Sequence, residues 1–447
     1  MRPKVLIILL FVYSLGFSQN IKTYTFSLKE AVTFALDSNY SVINAKRDVL
    51  KALKQKWETT ATGLPQISAG VDYRNNLKQP VTLIPSEFSG GAPGTFTPVV
   101  FGVPQTMNAS ATINQLLFDG SYIVALQASK TFLEFSKNLE QKTTSDIRKE
   151  VVNAYGSVLL SRENLEILES NKATLEKNLK ETTEIFKNGF VEEEDVEQLQ
   201  ITLTNIEIQL NNAKRVLELS SQLFHITLGI DLNASVTLTD NLDKLIAENI
   251  DLQILSEELT LENNIDYKIA YNFTEQRRLE LKLEKYKALP TLSAFVNYGT
   301  QANSDTFTFF DTNQQWFQSS VAGVSLRVPI FSSLGRRAKT QRAEIAFDQA
   351  KTNFTEAIQQ IKLQVKSAKN NYQFTIEKYE NAKNNLALAK RIETKNQIKF
   401  FEGLSSSFEL RQAQIQLYTA QQEYLQSMLD VITNKAELER ILYTTTY

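Results

Sequence analysis

The sequence predicts a mainly α-helical chain with two pairs of strands inserted into it, the whole built from one unit written twice. Three observations carry this. Apolar residues recur at alternating threes and fours over dozens of positions, the pattern of helices packed along one another. Four short segments alternate strictly between apolar and polar residues, as half-buried strands do. The residues of one half also recur in the other at a nearly constant spacing. Only 9 Pro and 15 Gly occur among 447 residues, too little turn punctuation for a chain of many β-domains.

The repeat settles the order of elements. Residues 61–73, ATGLPQISAGVDY, recur as residues 286–298, YKALPTLSAFVNY, at an offset of 225. Leu64 matches Leu289, Pro65 matches Pro290, Ala69 matches Ala294, Val71 matches Val296 and Tyr73 matches Tyr298; upstream, Asn39 matches Asn264. The offset is 213 at Phe118/Phe331 and Ala125/Ala338, then 214 at Val151/Val365, Phe186/Phe400 and Gly189/Gly403. The drop of about twelve is a length difference in the loop between the strands. Each copy reads helix, strand, loop, strand, very long helix, turn, shorter helix. The expected first repeat covers 19–230, with strands over 66–74 and 106–118, a long helix over 121–187 and a helix over 191–228. A connector over 231–255 leads to the second repeat, 256–447, with strands over 291–299 and 319–331, a long helix over 335–401 and a helix over 405–442.

The strands are legible by alternation. Ile67, Ala69, Val71 and Tyr73 oppose Ser68, Gly70, Asp72 and Arg74, and Met107, Ala109, Ala111 and Ile113 oppose Asn108, Ser110, Thr112 and Asn114. In the second copy the apolar sets are Leu292, Ala294, Val296 and Tyr298, then Ala322, Val324, Leu326 and Val328. Such a segment is long enough to cross a membrane at roughly 9–11 residues. A soluble antiparallel sheet with one face on a core alternates in the same way. Four strands cannot close a barrel, and an open edge cannot face lipid. The membrane reading therefore demands several copies.

The helices carry a 3.5-residue period. Val196, Leu199, Leu203, Ile206, Leu210, Ala213 and Leu217 step by alternating threes and fours, and Leu410, Ala413, Leu417, Ala420 and Tyr424 repeat the pattern. Leu165, Leu168, Leu175, Leu179 and Phe186 form a matching seam, with Lys172 and Thr182 as polar interruptions. This period implies coiled-coil packing against antiparallel neighbours. Each long run breaks at a Gly, in FKNGFVEEEDV at 186–196 and FFEGLSSSFEL at 400–410. Gly supplies the left-handed residue that ends a helix, and Ser405, Ser406 or Ser407 can cap the next.

Composition excludes several functions. The N-terminus, MRPKVLIILLFVYSLGFSQN, has Arg2 and Lys4, an apolar run from Val5 to Phe17 and then Ser18. That is the layout of a cleavable signal peptide over 1–18, too short to span a bilayer. With 0 Cys there is no lipid-modified cysteine and no disulfide. Without Arg2 and Lys4, 46 cations face 50 acids, a net of −4. No long basic run exists, so nucleic acid has no electrostatic footprint to bind. With His225 as the 1 His, neither a His/Cys metal centre nor a Ser-His-Asp triad can form. His225 reads as structural, no cofactor is called for, and the chain is expected not to be an enzyme.

The signal peptide, the doubled unit, Leu-Pro before the first and third strands, and the junctions LLFDGS and VPIFSSLGRR together resemble the TolC-type outer membrane efflux family. The resemblance covers nearly the whole mature chain. It implies a mainly α fold with a membrane β-barrel portion: a homotrimer whose copies each give four strands to a twelve-stranded barrel in outer membrane lipid. The long helices would form a periplasmic coiled-coil tunnel, with 231–255 in an equatorial belt around it. It further implies a passive exit duct of a tripartite efflux or secretion system, working with a periplasmic adaptor (membrane fusion) protein and an inner-membrane transporter reached directly or through that adaptor. Adaptor docking would fall on the tip residues Gly403, Leu404 and Ser405, which fit the family's Gly-Leu-hydroxyl signature. It would also fall on Gly189 and Phe190, where Phe replaces Leu and no hydroxyl follows. A gate six and nine positions past the tip Gly maps to Glu409 and Gln412, and to Asp195 and Gln198, with Phe186 and Phe400 as plugs. From the residues alone, acids in a helix's first turn equally offset its dipole. The alternative function is a soluble periplasmic coiled-coil scaffold or adaptor, although an adaptor should carry one hairpin flanked by compact β-domains.

Overall fold

The computed structural model describes residues 23–442; the expected signal peptide over 1–18 lies outside them. The chain begins with strand β1 (Thr23–Phe26) and helices α1 (Leu28–Ser38) and α2 (Tyr40–Ala61). Strands β2 (Gln66–Asn75), β3 (Val81–Pro85), β4 (Phe96–Val100) and β5 (Gln105–Asp119) follow, then the long helix α3 (Gly120–Lys187) and α4 (Glu193–Leu228). Next come β6 (Ser235–Leu238), α5 (Leu242–Asn249), α6 (Ile265–Tyr286), β7 (Thr291–Ser304) and β8 (Trp316–Arg327). The chain closes with the second long helix, α7 (Gly335–Phe401), and α8 (Ser407–Leu442).

Several boundaries differ from the sequence reading. The fourth strand stops at Arg327 rather than 331, because Pro329 has no N–H for the ladder. It starts three residues early, at Trp316, where it meets an extended β7 that runs to Ser304. Part of the loop over 75–105 is ordered as the hairpin β3–β4, joined by a 3₁₀ turn at Ser86–Ser89. The first helix is two helices, split at Asn39. The parallel pair β1–β6, whose TYTF and SVTL alternate over only four residues each, was not read from the sequence.

The residues fall into two compact units, and neither follows the repeat. One joins Leu50–Glu134 with Asn272–Thr352; the other joins the described residues up to Val49 with Phe135–Tyr271 and with Asn353 onward. The first unit holds the antiparallel sheet β2-β5-β7-β8. Its apolar face runs across the strands as Val71–Ala109 and Ile67–Ile113–Val296–Ala322. On the other face Ser68, Thr112 and Asn297 line up, and the Asn297 amide donates to the Thr112 hydroxyl at 2.7 Å. Gly323 is required there: a Cβ would stand 2.7 Å from the Phe295 ring, which lies over it. At one end Tyr73, Phe307 and Phe309 pack edge to face, with ring centroids 5.5–5.8 Å apart.

The second unit has the larger core, where Phe26, Val32, Tyr155, Phe224, Ile246 and Ile432 are buried together. Its connector is held by two phenols. Tyr155 of α3 donates to the Asp240 carboxylate at 2.9 Å, which also accepts from the Leu28 N–H at 2.8 Å. Tyr372 of α7 donates to the Asn249 carbonyl at 2.7 Å and accepts from the Asp251 N–H at 2.9 Å. Burial pushes both hydroxyls above the usual phenol range, so they stay protonated and donate.

The repeat survives at the level of single bonds. The Asn39 amide donates to the Thr227 carbonyl at 2.8 Å, and its oxygen accepts from the Ser41 N–H at 2.8 Å. Asn264 donates to the Ile441 carbonyl at 2.8 Å and accepts from the Tyr267 N–H at 3.0 Å. Each Asn thus caps the start of one helix and ties it to the last turn of the returning one. We expect Asn39→Ala and Asn264→Ala to cost nearly the same, on the order of 1–2 kcal/mol each. Thermal unfolding followed by circular dichroism checks this, and a large inequality would show that the two staples are not equivalent.

Candidate functional site at the two helix turns

The turns after α3 and α7 are built by the same bonds. The Gly189 N–H donates to the Phe186 carbonyl at 2.8 Å and the Phe190 N–H to the Ile185 carbonyl at 3.3 Å. At the second turn Gly403 donates to Phe400 at 3.0 Å and Leu404 to Lys399 at 2.8 Å. This nested pair is the Schellman ending, which satisfies the last carbonyls of a helix. Both glycines are left-handed, at φ +77° and +74°. Nothing lies within 4 Å of a Cβ built at either position, so the demand for Gly is conformational rather than steric.

The expected gate acids sit in the caps of the returning helices. Glu192 is the N-cap of α4, and its N–H donates to the Asp195 carboxylate at 3.2 Å. In the second copy the Ser406 N–H donates to the Glu409 carboxylate at 3.2 Å, and the Glu409 N–H donates back to the Ser406 hydroxyl at 3.3 Å. Asp195 and Glu409 therefore hold the same third position of two capping boxes. The Ser405 hydroxyl, and then the Ser406 N–H, hold the Glu409 carboxyl below the ordinary carboxylate range. Gln198 bonds within its own helix, donating to Glu194 at 2.9 Å, and Gln412 is exposed.

The apolar tip residues divide. Phe190 is 81% exposed and Leu404 73%, and Phe408 is also exposed. Two large side chains this uncovered at the ends of hairpins form a surface that water does not stabilise. Phe186 and Phe400 match in sequence but not in burial: Phe400 is buried against Phe401 at 5.4 Å, whereas Phe186 is exposed.

Sequence reasoning missed the polar layers above the turns. The seam of α3 runs through Leu168, Asn171, Leu175, Asn178 and Thr182, all buried. Lys172 is not the interruption: it stands beside the seam, paired with Glu207 at 3.0 Å and Glu176 at 3.4 Å. Asn171 donates to Gln421 at 2.9 Å, and Gln397 donates to Asn178 at 2.9 Å. Gln414 is buried with neither amide atom hydrogen-bonded within the chain. The available signal was positional, since Asn171 and Asn178 fall three residues past Leu168 and Leu175. Glu393, also buried here, is pushed up by desolvation.

His225, in the last turn of α4, is held by its Nδ1 to the Leu232 carbonyl at 2.9 Å. Among the described residues no group of His, Cys, Asp or Glu is placed to hold a metal ion. Nor is any helix among them long and apolar enough to cross a membrane.

A depressed carboxylate pKa stabilises the folded turn above the unfolded value, and that stabilisation is lost as pH falls through the folded one. We therefore expect hydrogen-exchange protection of the amides around Ser406–Glu409 to fall below roughly pH 4. Glu409→Gln should remove this pH dependence; protection that fell equally in the variant would place the acid sensitivity elsewhere.

The chain matches known proteins along most of its length. Residues 258–442 match the family model described as outer membrane efflux protein. The chain is 22% identical over 350 residues to outer membrane protein TolC of Vibrio cholerae, covering 76% of this chain and 77% of that one. Among solved structures it superposes on CusC with a TM-score of 0.74 at 18% identity, over 96% of this chain and 95% of that one. VceC of Vibrio cholerae gives 0.71 at 15% identity over 93% and 95%, and the Campylobacter jejuni CmeC outer membrane channel 0.72 at 16% over 93% and 85%. At these identities the structural likeness is one of fold, and the family match is confined to the second half of the chain, which is similar to outer membrane efflux proteins.

Proposed function

We propose that this chain is the passive outer membrane exit duct of a tripartite efflux or secretion system. In this reading it is a homotrimer that receives substrate from an inner-membrane transporter by way of a periplasmic adaptor protein. The observation that carries it is the sheet β2-β5-β7-β8. Its strands are long enough to cross a membrane, and one face is mainly apolar, with Ile67, Val71, Val324 and Leu326 all exposed. The other face is mainly polar, with Ser68, Asp72, Asn108, Thr112, Asn297, Ser325 and Arg327 on it beside Phe295 and Val321, as suits a watered lumen. Among the described residues both edges are unpaired, which lipid does not tolerate. Three copies would supply twelve strands and leave no edge. A soluble scaffold is not favoured: it would need a core over the apolar face, and the relatives are outer membrane channels.

The two turns suit the periplasmic tip of such a duct. Phe190, Leu404 and Phe408 offer the apolar contact for an adaptor, with Gly189, Gly403 and Ser405 shaping the surface beneath them. Glu409 and Asp195, with Gln412 near by, would give each trimer a ring of carboxylates that favours cations, with Phe186 and Phe400 narrowing it. Capping and gating are compatible, because a capping carboxylate keeps its charge.

Crosslinking and sizing of the detergent-extracted protein, followed by planar-bilayer recording, test the assembly. A trimer with a cation-favouring conductance is the expected result; a water-soluble monomer without conductance would overturn it. Glu409→Gln should weaken cation selectivity a few-fold, whereas Ser406→Ala, which removes the cap and keeps the charge, should leave selectivity unchanged. Equal selectivity in both variants and the parent would remove Glu409 from the gate.

A further inference from the structure

Where α3 meets α8 the seam carries two amide layers in one register, and only the upper one is closed by a direct bond. Asn171 donates to Gln421 at 2.9 Å across the two helices. One heptad nearer the turns along each of these antiparallel helices stand Asn178 and Gln414. Tyr418, between the two layers on α8, packs against the buried leucines of α3 and α4 and also against Ala389 and Leu417. The seam is therefore continuous over this span.

In the lower layer the two amides do not bond each other. The Asn178 oxygen is taken by Gln397 of α7, which donates to it at 2.9 Å, and its Nδ2 has no partner among the described residues. Neither amide atom of Gln414 has one either. Both side chains are buried, at 0% and 1% exposure. Thr182, one turn below Asn178 and also at 0%, joins them. The hydroxyls of Thr174 and Thr183 donate to the carbonyl four residues back, at 3.0 and 2.7 Å, as helical threonines commonly do. The Thr182 hydroxyl makes no such bond. Buried groups of this kind are almost always met, by protein or by ordered water.

We propose that the Asn178–Gln414 layer is a water-binding site, in which ordered water bridges the two amides and the Thr182 hydroxyl in place of the direct bond that joins Asn171 to Gln421. The donor set selects this occupant. Asn178 Nδ2 and Gln414 Nε2 present N–H donors, Gln414 Oε1 an acceptor, and Thr182 either. A cation has no use for the N–H groups and an anion none for the amide oxygen; water serves both through two to four bonds. Ala413, buried next to Gln414, fills less of the seam than Leu410 and Leu417 on either side. Glu393, buried one turn above Gln397 on α7, is the carboxylate that a cation would need, so a cation is the occupant to be tested against.

The layer lies eleven residues before Gly189 on α3 and eleven after Gly403 on α8, about 16 Å from each turn along the helix. A water bridge exchanges partners without leaving an amide unmet, so the hairpins are joined here by a contact that yields more readily than the direct bond above it. The site stands on the single chain and does not depend on the duct.

High-resolution crystallography of the detergent-extracted protein, with and without rubidium as the cation probe, reads the occupant directly. The expected result is a density peak about 2.7–3.2 Å from the Gln414 amide and from Asn178 or Thr182, with no anomalous rubidium signal. Rubidium at that peak overturns water in favour of a cation site, and a direct Asn178–Gln414 bond with nothing between overturns the site itself. Hydrogen exchange supplies a second reading. Gln414→Leu should speed exchange of the amides over 175–185 roughly tenfold, because Asn178 and the bridge then lack a partner. Adding Asn178→Leu should speed it little further, since the bridge is already lost. Unchanged or slower exchange in Gln414→Leu is the behaviour of a dry, unmet amide replaced by an apolar side chain, and it overturns the bridge.

Discussion

Backbone hydrogen bonding at the edges of one small sheet governs what this chain can be. In water an unpaired strand edge is solvated; in hydrocarbon each unmet N–H or C=O costs several kcal/mol. β2 and β8 are each paired on one side only. The sheet also presents an apolar surface that none of the described residues covers. In the proposed duct, lipid would answer the second problem and aggravate the first, and the edges of further copies would answer the first. The assembly proposed above follows from that one demand.

The helices meet along a seam that is not uniformly apolar. The lower seam alternates Leu168 and Leu175 with Asn171 and Asn178, and Gln421 and Gln397 reach across from α8 and α7. Amide layers specify which helices meet and in what register, at some cost in stability. Above them the interior becomes conventional, with Phe224, Met428 and Ile432 buried around Tyr155. Rigid packing around the connector and polar packing towards the turns place the softer contacts where the proposed docking and gating residues lie.

The turns show how one carboxylate serves two ends. Glu409 accepts from Ser405 and Ser406, and Asp195 accepts from Glu192. The helix needs an acceptor for its first N–H groups whatever the protein does. That need selects acids at equivalent positions in both halves, and a charged ring then requires nothing more than the assembly of copies.

The doubled order of elements, the alternation of the strands and the glycines of both turns were legible because each follows from a local rule: a period of 2 or 3.5, or a φ that only Gly adopts freely. Asn39 and Asn264 could be matched by spacing, yet their task could not, since it depends on where Thr227 and Ile441 return. The parallel pair β1–β6 joins residues more than two hundred positions apart, and its alternation, TYTF and SVTL, lasts only four residues a side. Asn171 and Asn178 were passed over because a polar residue on a seam looks like a break until its partner on another helix is seen. Periodicity, capping and turn chemistry were therefore written in the chain itself. Which strand lies beside which, which phenol holds the connector and which edges stay open were decided only by tertiary structure, because those contacts join residues that no local pattern relates.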